Sequence, residues 1–258
     1  LESPALLSVR DISKRYGEIR AIDRVGFDAE PGETLALIGA SGCGKTTTLK
    51  IINRLIEPDS GEVFLNSKAT TSFAPHLLRR EIGYVFQEIG LFPHMSVADN
   101  IAVTLRLLDW ETARIEARID TLLDMMRLDS DRHRAARPAD LSGGQRQRVG
   151  IARALAAEPG LVLMDEPFGA LDPITRDELR NDFKAIQNRL GFTAVIVTHD
   201  MAEAALLGDR IIVMDQGRVL QDDTPERIID APATPQVEAL LAAPMREAAK
   251  FARMGTAP

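Results

Sequence analysis

The chain has 258 residues, 45% of them hydrophobic and 27% charged, enough apolar chain for a large globular core. Its 38 acidic side chains outnumber 31 basic ones, and the net charge of −7 removes the bulk positive field that non-specific nucleic-acid binding needs, so no nucleic-acid partner is expected. The lone Cys43 excludes an internal disulfide, and His76, His94, His133 and His199 lack metal-ligand spacing.

No apolar run approaches bilayer length, and Leu1-Glu2-Ser3-Pro4 is unlike a secretory signal. A cytoplasmic chain is expected, with any membrane role supplied by a partner.

In chain order, Leu7–Arg10 and Ile22–Phe27 alternate as half-buried strands. Pro31-Gly32 is a turn, and Thr34–Ile38 is an apolar run that ends in glycine and leads into a helix at Lys45–Ile52. From Glu88 to Asp140 strand signals are few. Ala113–Arg127 places Ile115, Ile119, Leu122, Leu123 and Met126 on one helical face. Apolar runs return at Leu161–Met164, Thr193–Val197 and Arg210–Met214, with helices expected at Gln145–Ala157 and Thr175–Leu190. Strands alternating with helices predict a parallel sheet covered on both faces. Asp215-Gln216-Gly217 is a tight turn into a further strand, Thr224-Pro225 starts a helix, and Gln236–Ala252 is an amphipathic helix suited to a surface or, less simply, to a membrane.

Gly39-Ala40-Ser41-Gly42-Cys43-Gly44-Lys45-Thr46 fits G-x-x-x-x-G-K-[ST] between a strand and a helix. Backbone N–H groups of such a loop converge on triphosphate oxygens, and the helix adds its free N–H groups and dipole. Lys45 is expected on the β/γ-phosphates and the Thr46 hydroxyl on Mg²⁺, making ATP and Mg²⁺ the ligands. Cys43 is either an inert small residue or a thiol activated by the helix N-terminus.

Leu161–Met164 runs into Asp165 and Glu166 at the end of the strand where α/β sheets bind ligands. Asp165 is expected to hold Mg²⁺ directly or through water, and Glu166 to polarise the attacking water. Leu141-Ser142-Gly143-Gly144-Gln145 opens a helix. Alone it is either a plain capped turn or a second anion site.

Together these residues resemble the nucleotide-binding subunit of an ABC transporter over nearly the whole chain. Leu141–Gln145 resembles the signature motif, Gln87 the Q-loop, Ala170-Leu171-Asp172 the D-loop, His199 the switch histidine and Tyr16 the aromatic that stacks on adenine. The resemblance implies a P-loop core with a mostly parallel sheet, an N-terminal antiparallel β portion and an inserted helical subdomain. A single ABC-type domain over 1–258 would comprise a core at 1–87 and 141–225, a helical subdomain at 88–140 and a helical tail at 226–258.

It implies nucleotide contacts from Tyr16, from Gly39 through Thr47 and from Ser142, Gly143, Gly144 and Gln145. Gln87 and Thr46 join Asp165 at the metal, and Lys45, Gln87, Glu166 and His199 carry catalysis. It also implies a head-to-tail homodimer, or a pair with a related ATPase, in which Ser142 and Gly144 act on the other copy's ATP. Permease subunits would hold the dimer at the cytoplasmic face of the inner or plasma membrane, with a solute-binding protein as an indirect partner.

Gln87–Ile101 and Leu49–Ile56 are similar to ATPases of bacterial importers for glycine betaine, choline or carnitine. In that family Leu91, Phe92 and Pro93 would line the groove for the permease's coupling helix, although Phe92 also suits core packing. The end of the sequence at Pro258 argues against a C-terminal regulatory module. An importer for an amino acid or polyamine, and a non-transport ABC protein that remodels a membrane complex, share these motifs.

Overall fold

The computed structural model describes residues 5–242. The amino-terminal strands β1 (Leu7–Tyr16) and β2 (Ile19–Ala29) are followed by β3 (Thr34–Ile38) and helix α1 (Lys45–Ile52). Between α1 and Gln87 the chain forms β4 (Ser60–Leu65), β5 (Lys68–Ala69), α2 (Pro75–Glu81) and β6 (Ile82–Val85), which the sequence pattern does not announce. A helical stretch follows, with α3 (Val97–Leu107), α4 (Thr112–Met125), α5 (Ser130–His133) and α6 (Gly143–Leu155). The remainder alternates: β7 (Leu161–Asp165), α7 (Pro173–Leu190), β8 (Thr193–Val197), α8 (Met201–Leu207), β9 (Arg210–Asp215), β10 (Arg218–Asp223) and α9 (Pro225–Asp230).

Two sheets result. The first is antiparallel, in the order β2-β1-β4-β5. The second runs β10-β9-β3-β8-β7-β6 and is parallel except at β10, which returns antiparallel to β9 after the Gln216-Gly217 turn. Every residue of β3, β7 and β8 is buried, which explains why their sequences are unbroken apolar runs. One core packs the helices α3, α4, α6 and α7 on one face of this sheet. A second core lies between the two sheets, around Leu7, Val9, Ile22, Leu35, Leu37 and Leu49.

Two helices begin before the residues that periodicity marks. Ser142 caps α6 by accepting from the Gln145 N–H at 3.2 Å, and Asp172 caps α7 by accepting from the Thr175 N–H at 3.1 Å. Each cap moves the first helical residue to its immediate neighbour, Gly143 or Pro173. The helix α4 buries Ile115, Ile119, Leu122 and Leu123, with Met126 at its cap. Residues 235–242 are helical, and the rest of the helix expected over Gln236–Ala252 lies outside the described residues.

Candidate active site

The strand order places four functional segments side by side. The loop Gly39–Gly44 leaves β3, His199 follows β8, Asp165 and Glu166 end β7, and Gln87 follows β6; these strands are consecutive neighbours. Because they are parallel, all four segments emerge at the carboxyl edge of the sheet, where α/β folds bind ligands. Register brings Leu37 and Asp165 to either side of Val197.

The phosphate loop is built tightly against its own protein. A Cβ on Gly39 would lie 2.1 Å from the Met214 carbonyl oxygen, and one on Gly44 would lie 2.6 Å from that of Ala21. Glycine is thus required at both positions by the neighbouring backbone. Gly42 differs, since at φ +80° nothing lies within 4 Å of its virtual Cβ and the loop is open on that side. No side chain caps α1, whose N-cap is Gly44, so its first-turn N–H groups remain available to an anion.

The Lys45 ammonium is buried and donates to the carbonyls of Gly39 at 2.8 Å and Ala40 at 3.0 Å. Cys43 is buried with its sulfur 3.6 Å from Lys45 Nζ, and Ala40 and Ser41 are exposed at the loop's crest. Thr47 lies in α1, one residue beyond Thr46.

Thr46 Oγ1 donates to Asp165 Oδ1 at 3.0 Å. Burial pushes the Asp165 carboxyl above the usual carboxylate range, opposed by the Thr46 hydrogen bond and reinforced by the charge of Glu166. Paired oxygen donors on a buried carboxylate short of positive charge suit a hard divalent cation that takes its remaining ligands from phosphate and water. Among the described residues no group of three His, Cys, Asp or Glu side chains could hold a metal without such help.

Glu166 takes φ +45°, a left-handed backbone that is uncommon away from glycine and marks a constrained position. Its Oε2 accepts from Gln87 Nε2 at 3.2 Å and lies 3.4 Å from His199 Nδ1. The histidine side chain is 65% exposed, so it is not a packed core residue and is free to meet a ligand. The Gln87 amide and the His199 imidazole therefore converge on one carboxylate.

Two groups stand apart. No hydrogen bond or ion pair among the described residues joins Ser142–Gln145 to the phosphate loop. Gln145 instead completes a capping box with Ser142 and reaches His133 Nε2 at 3.1 Å. Gly143 is half-buried, and Gly144 is buried where an added Cβ would lie 2.5 Å from Thr175 Cγ2. Tyr16 sits at the β1–β2 hairpin paired with Ile19. The two are 48% and 71% exposed, an unusual apolar outcrop that offers a platform for a flat ring.

Sequence reasoning missed the cationic row of α7. Arg176, Arg180 and Lys184 recur every four residues; Arg176 bonds to the loop just before α7, while Arg180 and Lys184 reach 20 or more residues on, to Asp200 and the helix α8. The spacing was a visible signal, but their partners were not.

A mainly parallel sheet with a glycine phosphate loop, an uncapped following helix and a carboxylate pair at the end of the next strand but one defines a P-loop nucleotide-binding core. Residues 22–169 match the ABC transporter family, and the chain belongs to it. It is 48% identical over 237 residues to the carnitine transport ATP-binding protein OpuCA of Listeria monocytogenes, covering 90% of this chain and 59% of that one. It is 47% identical over 228 residues to the glycine betaine uptake system ATP-binding protein YehX of Escherichia coli, covering 88% and 74%. The osmoprotectant import ATP-binding protein OsmV of Salmonella typhimurium is 47% identical over 227 residues, or 88% and 59% of the two chains. The chain thus spans about three-fifths of the length of OpuCA and OsmV.

Among solved structures, the ATP-binding cassette MJ0796, a dimer in a post-hydrolysis state bound to ADP and Pi, matches with a TM-score of 0.76 at 34% identity. That match covers 85% of this chain and 98% of the cassette. CbiO1 of Clostridium perfringens, part of an ABC transporter complex, matches with a TM-score of 0.81 at 28% identity, covering 90% and 93%. The fold is that of an ABC ATPase cassette, with its antiparallel amino-terminal sheet beside a mainly parallel one.

Proposed function

We propose that the chain is the ATP-hydrolysing subunit of an ABC importer for quaternary-amine osmoprotectants. The observation that carries the hydrolytic reading is Glu166 Oε2, held between Gln87 and His199 at the end of the strand next to the Lys45–Thr46 loop. On nucleotide binding, Lys45 exchanges its loop carbonyls for the β/γ-phosphates, and the N–H groups of α1 meet the remaining oxygens. Thr46, Asp165 and Gln87 would hold Mg²⁺, which when bound neutralises phosphate charge and orients the terminal phosphoryl group. Glu166 takes the proton of the attacking water, and His199 contacts the γ-phosphate. Tyr16 stacks on adenine.

Ser142, Gly143, Gly144 and Gln145 act on the ATP of a second subunit, head to tail with the first. Support comes from their separation from the phosphate loop in one chain and from the dimeric cassette among the structural matches. Permease subunits are the transmembrane partners, placing the pair at the cytoplasmic face of the membrane. Among the described residues no helix is long and apolar enough to cross it. The names of OpuCA, OsmV and YehX supply the solute class.

The test is steady-state ATPase activity of the purified chain and of the chain reconstituted with its permease. Glu166→Gln is expected to retain ATP and slow turnover by roughly 10²–10⁴-fold. Lys45→Ala is expected to weaken nucleotide binding. Unchanged turnover in the first or unchanged affinity in the second overturns the site. Glycine betaine, choline or carnitine should stimulate the reconstituted complex. Stimulation by an amino acid or polyamine alone overturns the solute class, and recovery only with a non-permease partner overturns transport.

A further inference from the structure

The helix α7 carries three cations on one stripe, each directed at a different loop. Arg176 donates from Nε to the Phe168 carbonyl at 3.1 Å and from Nη2 to the Leu171 carbonyl at 2.8 Å, gripping the segment just after Glu166. Arg180, one turn on and buried, donates from Nη2 to Asp200 Oδ2 at 2.7 Å and to Glu203 Oε2 at 2.6 Å. Lys184, a further turn on, donates to the Leu207 carbonyl at 3.0 Å and to Asp209 at 3.1 Å. Asp200 directly follows His199. Its Oδ1 also caps α8, and its N–H donates to Thr198 Oγ1 at 3.0 Å.

We infer that Arg176 and Arg180 are positioning residues: they fasten the loop after Glu166 and the loop carrying His199 to one helix, so that α7 sets the spacing of base and histidine. This rests on the hydrolytic reading of Glu166 proposed above.

Three observations favour placement over stability. First, Arg180, Arg176, Glu166, His199 and Glu203 all border a single cavity of about 30 Å³, which shows how closely the two loops converge on α7. Second, Glu203 is buried with Oε1 lacking any hydrogen-bond partner, so the Arg180–Glu203 pair is incompletely satisfied; such buried pairs add little net stability over apolar residues of the same volume. Third, Glu166 has a strained backbone, and strain persists only where surrounding contacts over-determine it.

Burial raises the Glu203 carboxyl above the usual range, and the Arg180 guanidinium opposes this only in part. Burial also opposes ionisation of Asp200. There the Arg180 hydrogen bond and the N–H groups of α8 prevail, holding its carboxyl below the usual range.

The experiment compares the parent chain, Glu166→Gln, Arg176→Lys and the double replacement Arg180→Met with Glu203→Met. The double replacement removes both buried charges and is expected to melt near the parent. Arg176→Lys keeps a charge but loses the fork across two carbonyls. For each variant, ATP affinity, KM, kcat and the melting midpoint are measured. Both arginine variants should keep KM and ATP affinity within about twofold while kcat falls at least about tenfold.

A residue with only a structural role would instead lower the melting midpoint and leave kcat per folded molecule unchanged. That result in Arg176→Lys, or in a folded double replacement, overturns the inference. A parent without turnover, or Glu166→Gln turning over like the parent, overturns the hydrolytic reading and the inference with it.

Discussion

At the scale of single residues, the site gathers two carboxylates, Asp165 and Glu166, at the end of one buried strand. Asp165 is buried beside Glu166, and burial raises its carboxyl above the usual range, a cost that the Mg²⁺ proposed above would relieve. Replacing Asp165 by Asn should therefore raise the melting midpoint of the nucleotide-free chain, because a buried charge is removed while the Thr46 contact remains possible. The same variant should lose most of the stabilisation that Mg-ATP gives the parent. Thermal melts with and without Mg-ATP check both directions.

Gly144 gives a second test. A Cβ there would lie 2.5 Å from Thr175 Cγ2, an overpacking that costs about 1–3 kcal/mol. Thr175→Ser deletes that methyl group, so it should recover most of the stability lost in Gly144→Ala. A denaturation cycle with both single variants and the double variant measures the coupling.

At the scale of elements, what sequence revealed depended on how local the signal was. The strands β3, β7 and β8 were legible because burial on both faces leaves continuous apolar runs, ended by glycine, acid or histidine. The phosphate loop was legible because its glycines, Lys45 and Thr46 form one contiguous motif. By contrast, β6 is only four residues and includes Gly83, and β4 opens with the exposed Ser60-Gly61-Glu62, so neither carries a clear period. Periodicity found α7 but not the partners of its cations: Arg180 binds Asp200 and Glu203, which come beside it only once β8 has returned the chain, while Arg176 grips carbonyls of an irregular loop that carries no period. The signature segment was legible as a capped helix start, while the packing of Gly144 on Thr175 was not.

At the scale of the whole molecule, one face gathers exposed apolar side chains, and it is there that the permease proposed above would dock. Leu55, Phe86 and Phe92 are exposed large apolar side chains around a groove of about 230 Å³ that also includes Arg79 and Arg153. Phe92 is 39% exposed, which favours the contact reading over core packing, and Leu91 packs inward on the helical core. Asn100 fixes this segment by accepting from the Phe92 N–H at 2.8 Å and donating to the Ser96 carbonyl at 2.9 Å. Phe92→Asp should leave the melting midpoint within about 1 °C, since surface substitutions are nearly neutral, yet abolish co-purification with permease. Retained co-purification would show that the groove is not the docking face.

The fit of Gly39 against Met214 has a further consequence, for the order of events during synthesis. The phosphate loop is translated before β8 and β9, the strands that β3 pairs with among the described residues, and the loop rests on Met214 and on Gly217, whose N–H donates to the Cys43 carbonyl. The walls that shape the loop leave the ribosome some 170 residues after it does. While those residues are being made, a nascent chain therefore carries the whole phosphate-binding sequence without the surface that moulds it. Nucleotide capture is deferred until the last strands of the sheet are in place.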